Sequence, residues 1–464
     1  MRPDVGDELR RIEEAHTDDI AALVLFGHNI WPALRPLLAA QLIEARERGR
    51  AAPAAAPTPV GAAIDVAHRL LAHGRRSLAL AARSSTELAA LSARRSAKPV
   101  LVRTLTYSRR DEIDGARWCV FFDPVVAALG VQHFTISEGR GFPEDDYAER
   151  TPHRVDFHDD VVVRIAHAFA LRHARHIRNA SATLTAIAAR IAPSLAPLVS
   201  AQVGRFIAGF HAWRLVYRAL RPRVALVTVG VAGREPEIAA ARSLGVRVVE
   251  MQHGEILPGD RGYMFSDALR LLRPTFALAD ELLVFSRHQR DVLVRAGFWL
   301  DDDVRVVGSP RLTMHLGRAP RPSTPRAARD HRVVLVTPNP VAPIPTALRA
   351  FIARFLERHP VTCCRFHVKP HPIEPTAPWH ELARRFPGRV VVVDGNLYTL
   401  LADSDVVLAV YTSVMREGLF FGVPAYILAC EPWWREERAV VDGGGARVID
   451  ADYDGELEPF DVPA

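Results

Sequence analysis

Between residues 224 and 307, four short apolar runs at 224–229, 246–251, 281–285 and 304–307 alternate with helix-length segments such as 237–244 and 287–296. A strand without a polar side has to be covered on both faces, so this alternation dictates a parallel sheet sandwiched between helices. The pattern starts earlier, with a strand expected at 100–106, a helix over 114–130, a strand at 133–137 and a long helical region over 159–220. After a break it restarts, with strands expected at 333–336, 364–368, 390–393, 406–410, 425–428 and 447–449. The expected fold class is α/β: two Rossmann-like doubly wound domains facing across a cleft, with ligands at the strand ends that meet there.

The chain has 464 residues, enough for two domains and an appendage. Residues 1–97 read as a helical N-terminal segment, interrupted by the Pro/Ala-rich linker at 51–61 and carrying no catalytic constellation. The first Rossmann-like domain, expected to hold the acceptor, takes 98–315. The second, expected to hold a nucleotide donor, takes 316–464, and the Pro- and Arg-rich stretch from Gly308-Ser309-Pro310-Arg311 to His331 marks the boundary.

Lys and Arg exceed Asp and Glu by 59 to 53, a small surplus for this length that favours anionic partners. Spread through Arg-rich helices, it argues against a dedicated nucleic-acid binder, and no nucleic-acid partner is expected. The four cysteines have neither zinc nor disulfide spacing, which suits a reduced, cytoplasmic protein. No apolar run approaches the ~20 residues of a spanning helix, so contact with the inner membrane surface would be peripheral.

The chemistry gathers at strand ends. The run 364–368 stops at Lys369-Pro370-His371-Pro372, because proline lacks the amide donor a strand needs, and the turn presents a cation beside an imidazole. The run 333–336 leads into Thr337-Pro338-Asn339-Pro340, and 406–410 into Tyr411-Thr412-Ser413, whose hydroxyls open a helix. Together these ends suit a phosphate-bearing ligand. Arg416 and Glu417 share the helix face of Ser413, and Glu417 is a candidate acceptor for ribose hydroxyls. An ordinary helix cap is the plainer reading of Thr412 and Ser413, and a dipole partner that of Glu417.

In the first domain, 246–251 ends at Gln252-His253-Gly254-Glu255. His253 is the expected general base, with Glu255 as second choice. Asp114 or Glu112, after the strand at 100–106, is an alternative base. Asp301-Asp302-Asp303 precedes a strand, the wrong end of the sheet for a metal in the cleft, and reads as a solvated loop. No metal or cofactor is expected. No GxSxG, Walker or GxGxxG motif is present, which leaves hydrolase, P-loop and dehydrogenase readings without support.

In Gln252-His253-Gly254, Gly308-Ser309-Pro310-Arg311, Lys369-Pro370-His371-Pro372 and Thr412-Ser413 with Glu417, the chain resembles bacterial glycosyltransferases of the GT-B type. The branch is that of capsule and surface-polysaccharide transferases, sialyltransferases and polyol-phosphate transferases. The resemblance implies that His371, Thr412 and Ser413 bind the donor phosphate; Pro372, Lys369, Asn339, Glu417, Gly308 and Ser309 are the other residues expected at the donor-nucleotide site. It implies that His253 is the base, as in the polyol-phosphate transferases. Ile113-Asp114-Gly115 and Ser137-Glu138-Gly139 depart from the acidic pair that sialyltransferases place before a glycine.

The function implied is metal-independent transfer of a sugar from a nucleotide-sugar to a hydroxyl of a glycan or glycolipid acceptor, in surface or capsular polysaccharide synthesis. The alternatives are a polyol-phosphate transferase of the CDP-glycerol kind, a non-catalytic nucleotide-sugar or glycan binding protein, and a sugar-nucleotide epimerase.

Overall fold

The computed structural model describes residues 5–48, 100–105, 109–113, 116–131, 133–138, 154–158, 162, 165–166, 169–170, 172–230, 233–254, 256, 260–316, 331–341, 343–361, 364–371, 374–431 and 433–462. The chain divides into two compact units, Met1–Pro310 and Arg311–Ala464.

The first unit opens with the helices Val5–Ala15 and Thr17–Ala21, a hairpin of β1 (Val24–Leu25) and β2 (His28–Asn29), and the helix Trp31–Arg48. The hairpin turns on Phe26 and Gly27, at φ 53° and 79°. Positive φ at both central residues is the primed turn that matches the strand twist. These elements do not stand apart. Leu9, Ile20, Trp31 and Leu34 belong to the same buried cluster as sheet residues such as Leu101 and Val248. A buried ion pair fastens them: Glu13 Oε1 accepts from Arg35 Nε at 2.6 Å and from Trp31 Nε1 at 2.8 Å, and Glu13 Oε2 accepts from the Ser266 amide at 2.8 Å.

The sheet of this unit contains β3 (Val100–Leu105), β6 (His133–Glu138), β7 (Arg154–His158), β8 (Val224–Thr228), β9 (Arg247–Met251), β10 (Glu281–Val284) and β11 (Val304–Val306). Every pairing is parallel, in the order β11-β10-β9-β8-β3-β6-β7. The helix expected over 114–130 is corrected. β4 (Arg109–Ile113) and β5 (Ala116–Cys119) pair antiparallel, and only Asp123–Leu129 is helical. Ile113 pairs with Ala116 across an Asp-Gly dipeptide, the strongest short hairpin signal, which the helical reading passed over. β7 was not expected. The helical region that follows is split by Pro193 into Ala174–Ile191 and Ala196–Leu220.

The second unit holds β12 (Arg332–Thr337), β13 (Cys364–Val368), β14 (Val390–Val392), β15 (Val406–Ala409), β16 (Ala425–Leu428) and β17 (Ala446–Ile449), all parallel, in the order β14-β13-β12-β15-β16-β17. Buried clusters cover its two faces, one containing Val334, Phe366 and Tyr426 and the other Leu335, Val407 and Ile427. Alternate residues along each strand therefore feed two helical layers, and every residue of β15 and β16 is buried. Each unit is a Rossmann-like, doubly wound α/β domain, and two in tandem are the domain complement of the GT-B fold class.

Candidate functional site

In both sheets the strand order reverses at an inner strand. Successive crossovers lead away from that strand in opposite directions, leaving a crevice at its carboxyl end. In the second unit the reversal falls between β12 and β15.

Three of the strand ends expected to carry chemistry adjoin there. The Lys369 amide donates to the Val336 carbonyl at 2.9 Å, tying the Lys-Pro-His turn to the end of β12. Across the crevice, Asn339 Nδ2 donates to the Tyr411 carbonyl at 2.6 Å, while Asn339 Oδ1 accepts from the Val341 amide at 3.0 Å. Asn339 thus staples the β12 and β15 loops together. Tyr411 has φ 54°, costly for a residue with a large side chain, and this bend turns the chain into Thr412 and Ser413. Its ring packs against Trp433, with centroids 5.3 Å apart.

The side chains follow from this frame. Ser413 does not cap the helix Val414–Leu419; its hydroxyl donates to Glu417 Oε1 at 2.9 Å. Thr412 Oγ1 accepts from the Val414 amide at 3.4 Å, a weak cap. Glu417 Oε2 is buried and has no hydrogen-bond partner among the described residues. A buried carboxylate oxygen left so is costly unless something supplies a donor. Arg416 reaches Glu437 at 3.5 Å and lies off this arrangement. The helix has only six residues, so positive charge for an anion has to come chiefly from side chains.

Lys369 Nζ lies 3.9 Å from the exposed carboxylate of Asp394, a solvated pair worth little that a phosphate can displace. His371 is exposed, and its carbonyl accepts from the Glu374 amide at 2.8 Å. Beneath the turn, Glu374 Oε1 accepts from Trp379 Nε1 at 2.7 Å, and burial raises the pKa of this carboxyl. Pro372 lies outside the described residues.

The first unit presents His253 at the end of β9. Gln252, buried beside it, shapes the turn: its Oε1 accepts from the Phe285 amide at 2.7 Å and its Nε2 donates to the Gly254 carbonyl at 2.6 Å. The glutamine therefore clamps the ends of β9 and β10, and His253 stands on a fixed turn. Desolvation by the surrounding protein lowers its pKa, so the imidazole is neutral at neutral pH, as a base requires. Glu255 and Asp114 lie outside the described residues, and no side-chain geometry is described for Glu112. Gly308, at φ 76°, and Ser309 follow the edge strand β11 and belong to the first unit.

Two further features were not anticipated. Glu250, the one acid of β9, is fully buried. Its Oε1 accepts from the Gly230 amide at 2.7 Å and from the Tyr263 hydroxyl at 2.5 Å. Burial lifts its pKa to about 7. A lone acid in a buried strand was the available signal. Gly230 follows β8, beside the reversal between β3 and β8, and a Cβ there would lie 2.3 Å from Glu250 Oε2. The acidic triplet is engaged, Asp301 with Arg290 at 2.5 Å and Asp303 with Arg273 at 3.1 Å. Among the described residues no group of three His, Cys, Asp or Glu side chains could hold a metal ion, and no helix is long and apolar enough to cross a membrane.

No family model and no curated protein matches this sequence. Among solved structures, the chain is similar to a UDP-GlcNAc 2-epimerase from Neisseria meningitidis bound to UDP-GlcNAc, at 11% identity and TM-score 0.44, over 76% of this chain and 87% of that one. It is similar to the Methanocaldococcus jannaschii UDP-GlcNAc 2-epimerase in complex with UDP-GlcNAc and UDP, at 12% identity and TM-score 0.42, over 76% and 88%. A third is the glycotransferase of kitacinnamycin, at 15% identity and TM-score 0.40, over 77% and 87%. The fold assignment stands on the two sheet orders.

Proposed function

We propose that this chain is a GT-B-type glycosyltransferase that moves a sugar from a nucleotide-sugar to a hydroxyl of a glycan or glycolipid acceptor, with the donor nucleotide on the second unit. One observation carries the reading: the ends of β13, β12 and β15 adjoin at the sheet's reversal, with Lys369, Asn339, Thr412, Ser413 and Glu417 on them. On this reading Lys369, His371 and the hydroxyls of Thr412 and Ser413 stabilise the negative charge that grows on the leaving phosphate. The buried Glu417 oxygen accepts from a ribose hydroxyl, which supplies the donor it lacks. His253, neutral at pH 7, takes the proton from the acceptor hydroxyl as the new glycosidic bond forms.

The test is turnover across a panel of nucleotide-sugars and CDP-polyols, with acceptor present and absent, in the full chain and in His371→Ala and His253→Ala. The reading expects acceptor-dependent release of nucleotide that falls by at least about a hundredfold in each variant. Undiminished rates in both variants would overturn it. Release from CDP-polyols alone would replace sugar transfer by polyol-phosphate transfer at the same site, and conversion of the donor sugar without acceptor would replace transfer by epimerisation.

A further inference from the structure

From Val161 to Arg234 the sequence contains 11 arginines, 4 histidines and not one aspartate or glutamate. The remainder of the chain carries 48 Lys and Arg against 53 Asp and Glu. The positive surplus is therefore concentrated in one segment, which corrects the reading that it is spread through the chain. A carboxylate-free run of this length cannot neutralise itself, and apart from pairs such as buried Arg234 with Glu237 its charge is left to solvent or to a partner.

The fold lays much of this segment out as two packed helices, Ala174–Ile191 and Ala196–Leu220, of 18 and 25 residues or about 27 and 38 Å. His173, at the N-cap of the first, stacks on His211 of the second, ring centroids 4.4 Å apart. Arg172, Arg175, Arg178 and Arg218 are exposed, and none has an ion-pair partner among the described residues. The carboxylate of Asp19 touches the far end of the first helix, pairing with Arg190 at 2.7 Å.

Apolar side chains stand among these cations. The hairpin tip Phe26, 38% exposed, packs against His176, Phe210 and His211, and Leu215, 44% exposed, lies one turn beyond His211. Between the arginines of the first helix the exposed positions Ala182 and Ala186 are small, so a flat surface can approach the backbone.

We propose that this helix pair and the Phe26 hairpin dock on an anionic lipid surface, the arginines against headgroup phosphates and Phe26 and Leu215 below them. Charge complementarity selects an anionic partner. The exposed apolar side chains standing among the cations favour a bilayer interface over a nucleic acid, which calls for a groove or a stacking platform. The inference is independent of the nucleotide reading, because no residue of the donor site takes part.

The test is co-sedimentation of the full chain with vesicles of phosphatidylcholine alone, or with about one third phosphatidylglycerol. The expected result is binding only to the anionic vesicles, weakened by salt. Joint replacement of Arg175→Ala and Arg178→Ala should weaken it about 30-fold, at about fivefold per cation. Phe26→Asn keeps a residue that tolerates positive φ but removes the apolar wedge, and should weaken it about tenfold. The control pair Arg365→Ala and Arg384→Ala, in the second unit, should leave it unchanged. Equal binding to neutral vesicles, no binding to either, equal loss in the control pair, or tighter binding of a duplex oligonucleotide than of anionic vesicles would overturn the proposal.

Discussion

Replacing Glu250 by Gln should make the first unit more stable at alkaline pH and change little in acid. The carboxyl is wholly buried, and its pKa is lifted from 4.5 to about 7, chiefly by desolvation, against hydrogen bonds from Tyr263 and Gly230 that favour the charged form. A group whose folded pKa lies above its unfolded one holds its proton more tightly when folded. Between pH 4.5 and 7 the native state therefore binds more protons than the unfolded chain, and stability falls as pH rises through that window. The span of the shift converts to about 3 kcal/mol, fully present below pH 4.5 and lost above 7.

Gln keeps an oxygen for the Gly230 amide and the Tyr263 hydroxyl but does not ionise. The stability difference between variant and parent should therefore change by about 2.5 kcal/mol in the variant's favour from pH 5 to pH 8. Urea denaturation of the full chain at several pH values, read by amide exchange in peptides covering β8 and β9, measures it. A difference that stays constant across that range would refute the assignment of the pH dependence to Glu250.

Glu13→Ala leaves Arg35 charged and buried, and should cost about 3–5 kcal/mol in denaturation of the first unit, whereas an exposed pair such as Arg385 with Glu357 should cost under about 1 kcal/mol. Gln252→Ala strands the Phe285 amide and frees the Gly254 carbonyl, so a loss of about 1–3 kcal/mol in the same assay is expected, along with lower activity because His253 loses its fixed turn. The pH profile of kcat/KM should show an acid limb with its midpoint below 6.5, since desolvation lowers the pKa of His253, and that limb should vanish from the residual activity of His253→Ala.

Most of the parallel strands were legible because their runs are almost wholly apolar. Runs such as VALVT in β8 and VVLA in β15 leave little choice but burial on both sides. β7 escaped because RVDFH alternates polar and apolar residues at a sheet edge and has no such run. The hairpin of β4 and β5 was hidden by Trp118, Val120 and Phe121, whose apolar density merges into the helix that follows. The N-terminal helices looked peripheral because what anchors them is polar. Glu13 and Arg35 lie 22 residues apart and meet the backbone of Ser266, Arg261 and Met264, contacts that periodicity cannot show.

At the candidate site, strand ends and prolines revealed which residues cluster, since Pro370 stops β13 where Lys369 has to emerge. The bonds between them were beyond reach. Ser413 and Glu417 look like a cap and its dipole partner, yet they bond each other. Asn339 and Tyr411 are 72 residues apart, and a side chain donating to a distant carbonyl leaves no trace in composition.

Nucleotide binding by the second unit is measured by calorimetric titration of the full chain with nucleoside diphosphates in magnesium-free buffer, repeated with Lys369→Ala and Glu417→Gln. At least one nucleotide should bind, Lys369→Ala should weaken it tenfold or more through loss of a charge-assisted phosphate contact, and Glu417→Gln should weaken the nucleotide but not free pyrophosphate. Absence of binding across the panel, or unchanged affinity in both variants, would contradict a donor-nucleotide site there.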